Sequence, residues 1–155
     1  MTGACPVKPI RDKRMTDEQL IFLARSAAGK AYAPYSNFHV GCAVESVDGE
    51  IATGANMENA CYRLGLCAEQ SALTAAQHSF GLDKIARIAV VGGTDSIACT
   101  PCGGCRQAIL EAAQLSRQDL PILCGSGDGS KLERYTISDL LPSGFGPANL
   151  NVKPA

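Results

Sequence analysis

The stretch from Lys84 to Ser126, KIARIAVVGGTDSIACTPCGGCRQAILEAAQLSRQDLPILCGS, decides how the chain is built. KIARIAVVGG is an apolar run of strand type, PCGGCRQAILEAAQ is helical in pattern, and PILCGS is again a short strand. Upstream, CAEQSALTAAQHS (Cys67 to Ser79) is Ala-rich and predicts a helix. FHVGCAVES alternates Phe38, Val40, Cys42 and Val44, the period of a strand. Asp48-Gly49 is a hairpin turn after it, and Ile51, Thr53 and Ala55 continue on a partner strand. Further out, Thr16 and Gln19 make a capping box ahead of a stripe of Leu20, Leu23, Ala24, Ala27 and Ala28, so a helix opens there. Downstream, GDG is a turn, ERYTI a last strand, and Ser138 is read as the cap of a short DLLP helix. The order is α β β α β α β β α. Strands alternating with helices predict an α/β fold, a partly parallel sheet held between helical layers. No repeat or interdomain linker is visible. One domain over residues 15–150 is expected, behind a flexible tail at residues 1–14.

The 155 residues carry a net charge of −1, with 46% hydrophobic and 19% charged residues. A chain without a basic surplus does not suit a phosphate backbone, so no nucleic-acid partner is expected. No stretch approaches membrane-spanning length, and MTGACPVKPIRDKR lacks the apolar core of a secretory signal. The Gly-rich GSGDGSK lacks the spacing of a phosphate loop and reads as a turn. Eight cysteines (5, 42, 61, 67, 99, 102, 105 and 124) without a secretion signal favour metal binding or catalysis over a disulfide framework, and a cytoplasmic location.

Thr100 is a good N-cap and Pro101 suits a first helical position, which would put Cys102 in the first turn and Cys105 on the same face. Cys67 stands at the start of its own helix, so two helix starts could converge on one ion. Their positive ends favour thiolates, the form that binds metal. Structural zinc takes four protein ligands, whereas catalytic zinc keeps one position for water. Cys99 could close the site as a fourth sulfur, making it a structural staple. A redox pair would leave Cys67 idle, and an iron–sulfur run lacks its further cysteines. Glu69 taken alone is a favourable charge in a first helical turn. Beside three metal-competent thiols it becomes a proton carrier. C-x-E followed after a long gap by P-C-x-x-C is a specific combination, matching the three-cysteine variant of the zinc deaminase pattern.

CAEQ with PCGGCRQ resembles the cytidine deaminase family. PYSNFHVGCAV, GANMENACY and LLPSGF look like its short, homotetrameric members acting on free nucleosides. The similarity runs from about Leu20 to Phe145. It implies a three-layer α/β/α sandwich around a mixed five-stranded sheet. It implies one Zn2+ per chain on Cys67, Cys102 and Cys105, with Glu69 as the catalytic proton shuttle. It also implies that Asn56 and Glu58 hydrogen-bond the ribose, chiefly its 3′-hydroxyl. Backbone groups around Ala60 and Ala68 would meet the base edge, with Phe38 packed near it. Tyr62, with Tyr35, would line the pocket or an interface, and Phe145 would reach a neighbouring subunit's site. The implied activity is hydrolytic deamination of cytidine and deoxycytidine in pyrimidine salvage, by a homotetramer with sites at subunit interfaces. Gln70 stands where the family usually has an arginine, with Arg63 and Arg106 as possible substitutes for its charge. His39 and His78 match no ligand position. Two rivals remain open from the residues: a relative acting on another aminated heterocycle, and a zinc-stapled scaffold closed by Cys99.

Overall fold

The computed structural model describes residues 14–152; all but Arg14 of the expected tail lies outside the described residues. The chain runs α1 (Asp17–Ala28), β1 (Val40–Ser46), β2 (Ile51–Ala55), α2 (Ala68–Ser79), β3 (Ile85–Gly92), α3 (Gly103–Ser116), β4 (Pro121–Ser126), β5 (Leu132–Thr136) and α4 (Ile137–Leu140), with short 3-10 turns between. This is the expected succession of elements. The strands form one mixed sheet in the order β2-β1-β3-β4-β5. Only β3 and β4 run parallel, with α3 between them in the chain, and every other pair is antiparallel.

Helices cover both faces of the sheet. Register sets Cys42 opposite Val90 and Val90 opposite Cys124. These residues, with Val44, Ile88 and Ile122, face a core completed by Ala72, Leu73 and Ala76 of α2 and Ile109, Ala112 and Ala113 of α3. On the other face Ala43, Ala89, Val91 and Leu123 meet Leu20, Ile21 and Ala24 of α1. The layers are therefore α1, sheet, and α2 with α3. Each fully buried Leu or Ile in these layers contributes about 1.5–3 kcal/mol. Coverage on both sides also explains β1. Its alternation predicts one buried face, yet six of its seven residues are buried, because α1 takes the second face as well.

Helix starts depart from the sequence reading at two places. The capping box of Thr16 and Gln19 opens α1 as expected. Thr100 does not cap α3: the chain stays non-helical through Cys102, which is itself the N-cap. Two bonds hold that extended lead-in: the Cys99 N–H donates to the Gly125 carbonyl at 3.2 Å, and Arg106 Nε donates to the Pro101 carbonyl at 2.8 Å. Likewise α4 is capped by Thr136, which forms a box with Asp139, and Ser138 lies inside the helix.

Candidate metal centre and substrate loop

The centre lies where α2 and α3 begin, α3 starting just beyond the carboxyl end of β3, the usual place for sites in α/β sheets. Cys67 and Cys102 are the N-caps of α2 and α3, both in extended conformation. Their sulfurs sit at the positive helix ends. Cys105, the third residue of α3, is fully buried. The three sulfurs lie within 4.8 Å of one another. Sulfurs bound tetrahedrally to zinc at about 2.3 Å stand roughly 3.8 Å apart, so the cluster fits that ion.

The three thiols differ in their readiness to ionise. Backbone N–H of Cys105, with further bonds nearby, holds Cys102 below the ordinary thiol range. Burial pushes Cys67 and, more strongly, Cys105 upward. A divalent cation reverses that penalty and releases the protons. Glu69, second residue of α2, is only 4% exposed. Burial raises its carboxyl above the usual range, against its backbone bond and the Cys105 thiol, which pull the other way.

Among the described residues the ligand group holds Cys67, Cys102 and Cys105 and no fourth member. Cys99 packs elsewhere: its sulfur lies 2.7 Å from where a Cβ on Gly92 would stand, and burial lifts its thiol to about 11. It does not close the tetrahedron, and the scaffold reading loses its fourth sulfur. Gln70 stands near Cys102. Its Nε2 is 3.9 Å from a Cβ built on Gly104, and the Cys102 sulfur is 4.0 Å from the same point. Arg106 spends its hydrogen bonds on the carbonyls of Pro101 and, at 2.9 Å, Leu140. Arg63 is exposed on the Tyr62–Leu64 turn.

The loop after β2 is tied to both sides. Met57 bridges Tyr32 on one side and Leu66, the residue before Cys67, on the other. Asn56 accepts from the Val40 N–H at 2.8 Å and donates to the Phe38 carbonyl at 2.9 Å. Glu58 accepts from the N–H groups of Tyr35 at 2.9 Å and Ser36 at 3.2 Å, and from the Ser36 hydroxyl. Glu58 and Ser36, with Tyr35, Asn59, Tyr62 and Gly65, line a cavity of about 340 Å³ that includes none of the three thiols. The Tyr35 and Tyr62 rings are 5.8 Å apart. Phe38 is half exposed, its ring against Gly93, while Ala60 is exposed and Ala68 is buried at the start of α2. Phe145 is exposed, and its carbonyl accepts from Gln107 at 2.8 Å. His39 and His78 are exposed and outside the ligand group. The sequence reading did not single out Ser36. Its signal was the PYS triplet, whose hydroxyl stands next to a chain reversal.

The family model described as the cytidine and deoxycytidylate deaminase zinc-binding region matches residues 14–117. A cytidine deaminase of Mycobacterium tuberculosis is 48% identical over 79% of this chain and 84% of its own. One from Halalkalibacterium halodurans is 40% identical over 88% and 99%. Among solved structures, cytidine deaminase from Burkholderia pseudomallei superposes with a TM-score of 0.77 at 40% identity, covering 84% of this chain and 100% of that one.

Proposed function

The chain belongs to the cytidine and deoxycytidylate deaminase family, and on that premise we propose that it hydrolyses free cytidine and deoxycytidine to uridine and deoxyuridine with release of ammonia. The observation that carries this reading is three sulfurs without a fourth ligand, beside a buried carboxylate. Cys67, Cys102 and Cys105 would hold a zinc ion, which when bound would supply a Lewis acid that brings a water's pKa toward neutrality. Glu69 takes a proton from the water that attacks C4 of cytosine and delivers it to N3. It then moves the proton of the new C4 hydroxyl to the amino group, so that C4 becomes a carbonyl, the C4–N bond breaks, and water and substrate become uridine and ammonia.

Three thiolates and Zn2+ sum to −1, which opposes ionising the water. The N-termini of α2 and α3 offset this in part, and Gln70 adds donors without charge. Asn56 and Glu58 bind the ribose. A carboxylate accepts from a 3′-hydroxyl and repels a 3′-phosphate, which selects the nucleoside over a polynucleotide. Phe38, Tyr62, Ala60 and Ala68 surround the base. Phe145 reaches a neighbouring subunit of a homotetramer, a reading supported by the exposed Tyr32, Tyr35, Met57, Tyr62 and Leu64. The setting is cytoplasmic pyrimidine salvage; no helix of the described residues is long and apolar enough to cross a membrane.

The test is ammonia release from cytidine, deoxycytidine and cytidine 3′-monophosphate by purified protein of measured zinc content and mass in solution. Turnover of both nucleosides, one zinc per chain and rejection of the phosphate are expected. A zinc-loaded protein inert toward both nucleosides overturns the assignment.

A further inference from the structure

An ionised carboxylate offers about four acceptor positions. At Glu58 three are taken by this chain: Oε2 receives the N–H groups of Tyr35 and Ser36, and Oε1 receives the Ser36 hydroxyl. One position, on Oε1, is left for a ligand. The Ser36 oxygen is fixed from its other side, since it accepts the Phe38 N–H at 3.0 Å. Asn56 secures the far end of the same segment through the Phe38 carbonyl and the Val40 N–H. The chain reaches this arrangement by a reversal at Asn37, which has φ of 55° and donates its N–H to the Ala33 carbonyl at 3.0 Å. With its one proton given to Glu58, the Ser36 hydroxyl has no donor left to offer a ligand. It acts through Glu58.

We propose that Ser36 is a positioning residue for the sugar: its hydroxyl bridges the Glu58 carboxylate and the Phe38 backbone, leaving one aimed acceptor for a single ribose hydroxyl at a fixed distance from the aromatic platform of the base. This rests on the nucleoside-deaminase reading above. The Ser36 hydroxyl is also the foremost cause holding the Glu58 carboxyl below its ordinary range.

Ser36→Ala removes the bridge and leaves Oε1 with two unaimed positions, while Cys67, Glu69, Cys102 and Cys105 are untouched. For cytidine, KM should rise about tenfold, the scale of one hydrogen bond to a charged group, with kcat within about twofold. For 3′-deoxycytidine, which has no hydroxyl to offer Glu58, the same variant should change KM by less than about twofold. Ser36→Thr, which keeps the hydroxyl, should restore most of the loss, and melting temperatures should show that both variants fold. An equal rise in KM for the two substrates, no rise for either, or failure of threonine to rescue overturns the role of Ser36 while leaving the deaminase reading intact. A zinc-loaded wild-type protein inert toward cytidine overturns the deaminase reading itself, and the Ser36 role with it.

Discussion

Glu69 sits almost without water at the second position of a helix, two residues after one sulfur of the cluster and beside another. A carboxylate has to have a chemical reason to be there, because burial penalises its charge. Replacing it with glutamine keeps shape and hydrogen bonding and removes the transferable proton. Glu69→Gln should retain its zinc and lose about 10²- to 10⁴-fold in turnover, read by ammonia release alongside metal content. A variant that turns over normally would exclude Glu69 as the shuttle. The thiols can be separated in the same way. Cys102→Ser should lose most bound zinc, while Cys99→Ser should keep all of it, because the Cys99 sulfur packs at Gly92 and outside the ligand group. Glu58 gives a pH dependence. Its folded pKa lies below the ordinary 4.5, chiefly through Ser36. A depressed carboxyl stabilises the fold above the unfolded value and loses that contribution as pH falls through the folded one. The melting-temperature gap between wild type and Glu58→Gln should therefore be constant from neutrality to about pH 5 and should close below 4.5. A gap that widened on acidification would contradict the assigned bonds.

Helices and strands place these groups through close approaches that only glycine permits. A Cβ on Gly54 of β2 would lie 2.4 Å from the Ala72 nitrogen and 2.7 Å from the Ala68 carbonyl oxygen, so α2 rests directly on the strand. On the opposite face a Cβ on Gly41 of β1 would lie 2.0 Å from the Ala24 carbonyl oxygen in α1. Either glycine-to-alanine change should cost about 1–3 kcal/mol by overpacking. Their effects on the metal should differ. Gly54→Ala lifts α2, with Cys67 and Glu69, off the sheet and out of its alignment with α3, and should weaken zinc retention against a chelator several-fold. Gly41→Ala moves only α1 and should leave zinc retention unchanged. Equal loss of zinc in both would mean that α2 is not what aligns the site. The elements themselves were legible in the residues, because apolar period and capping boxes are local. The Thr16 box is an example, closed within one turn. The start of α3 was not. Thr100-Pro101 carries a strong local signal, but a tertiary bond from the Cys99 N–H to the Gly125 carbonyl, with the Arg106 side chain on the Pro101 carbonyl, holds the chain extended until Cys102. That displacement decides the chemistry, since it makes Cys102 an N-cap and sets its sulfur at the helix end. The local rule could suggest that two helix starts converge on one ion, but not which residue would cap the second.

Across the whole molecule two clamps fasten the helices, one on each face of the sheet. One is the thiol cluster joining α2 to α3. The other is ionic and was invisible in the sequence, since its members are scattered from Asp17 to Arg134. Glu45, fully buried, faces Arg87 across the β1–β3 register at 2.5 Å, and its other oxygen receives the Met15 N–H at 2.6 Å. Arg87 also reaches Asp17 at 2.7 Å, and Arg134 of β5 meets the second oxygen of Asp17 at 2.8 Å. The start of α1 is thereby pinned to three strands. Removing one member of a buried pair leaves the other charge uncompensated, so Glu45→Ala should cost about 3–5 kcal/mol. Stripping the metal should also destabilise, because the ion binds only the folded arrangement. The sheet stands between the two clamps and they share no residue, so their effects should add to within about 0.5 kcal/mol. The check is urea unfolding of wild type and Glu45→Ala, each with zinc and with chelator, at one protein concentration. A chelator effect of the same size in both proteins supports independent clamps. A chelator effect that vanishes in Glu45→Ala would mean that α1 and the metal centre unfold as one unit, with the signal crossing the sheet through β1 and β3.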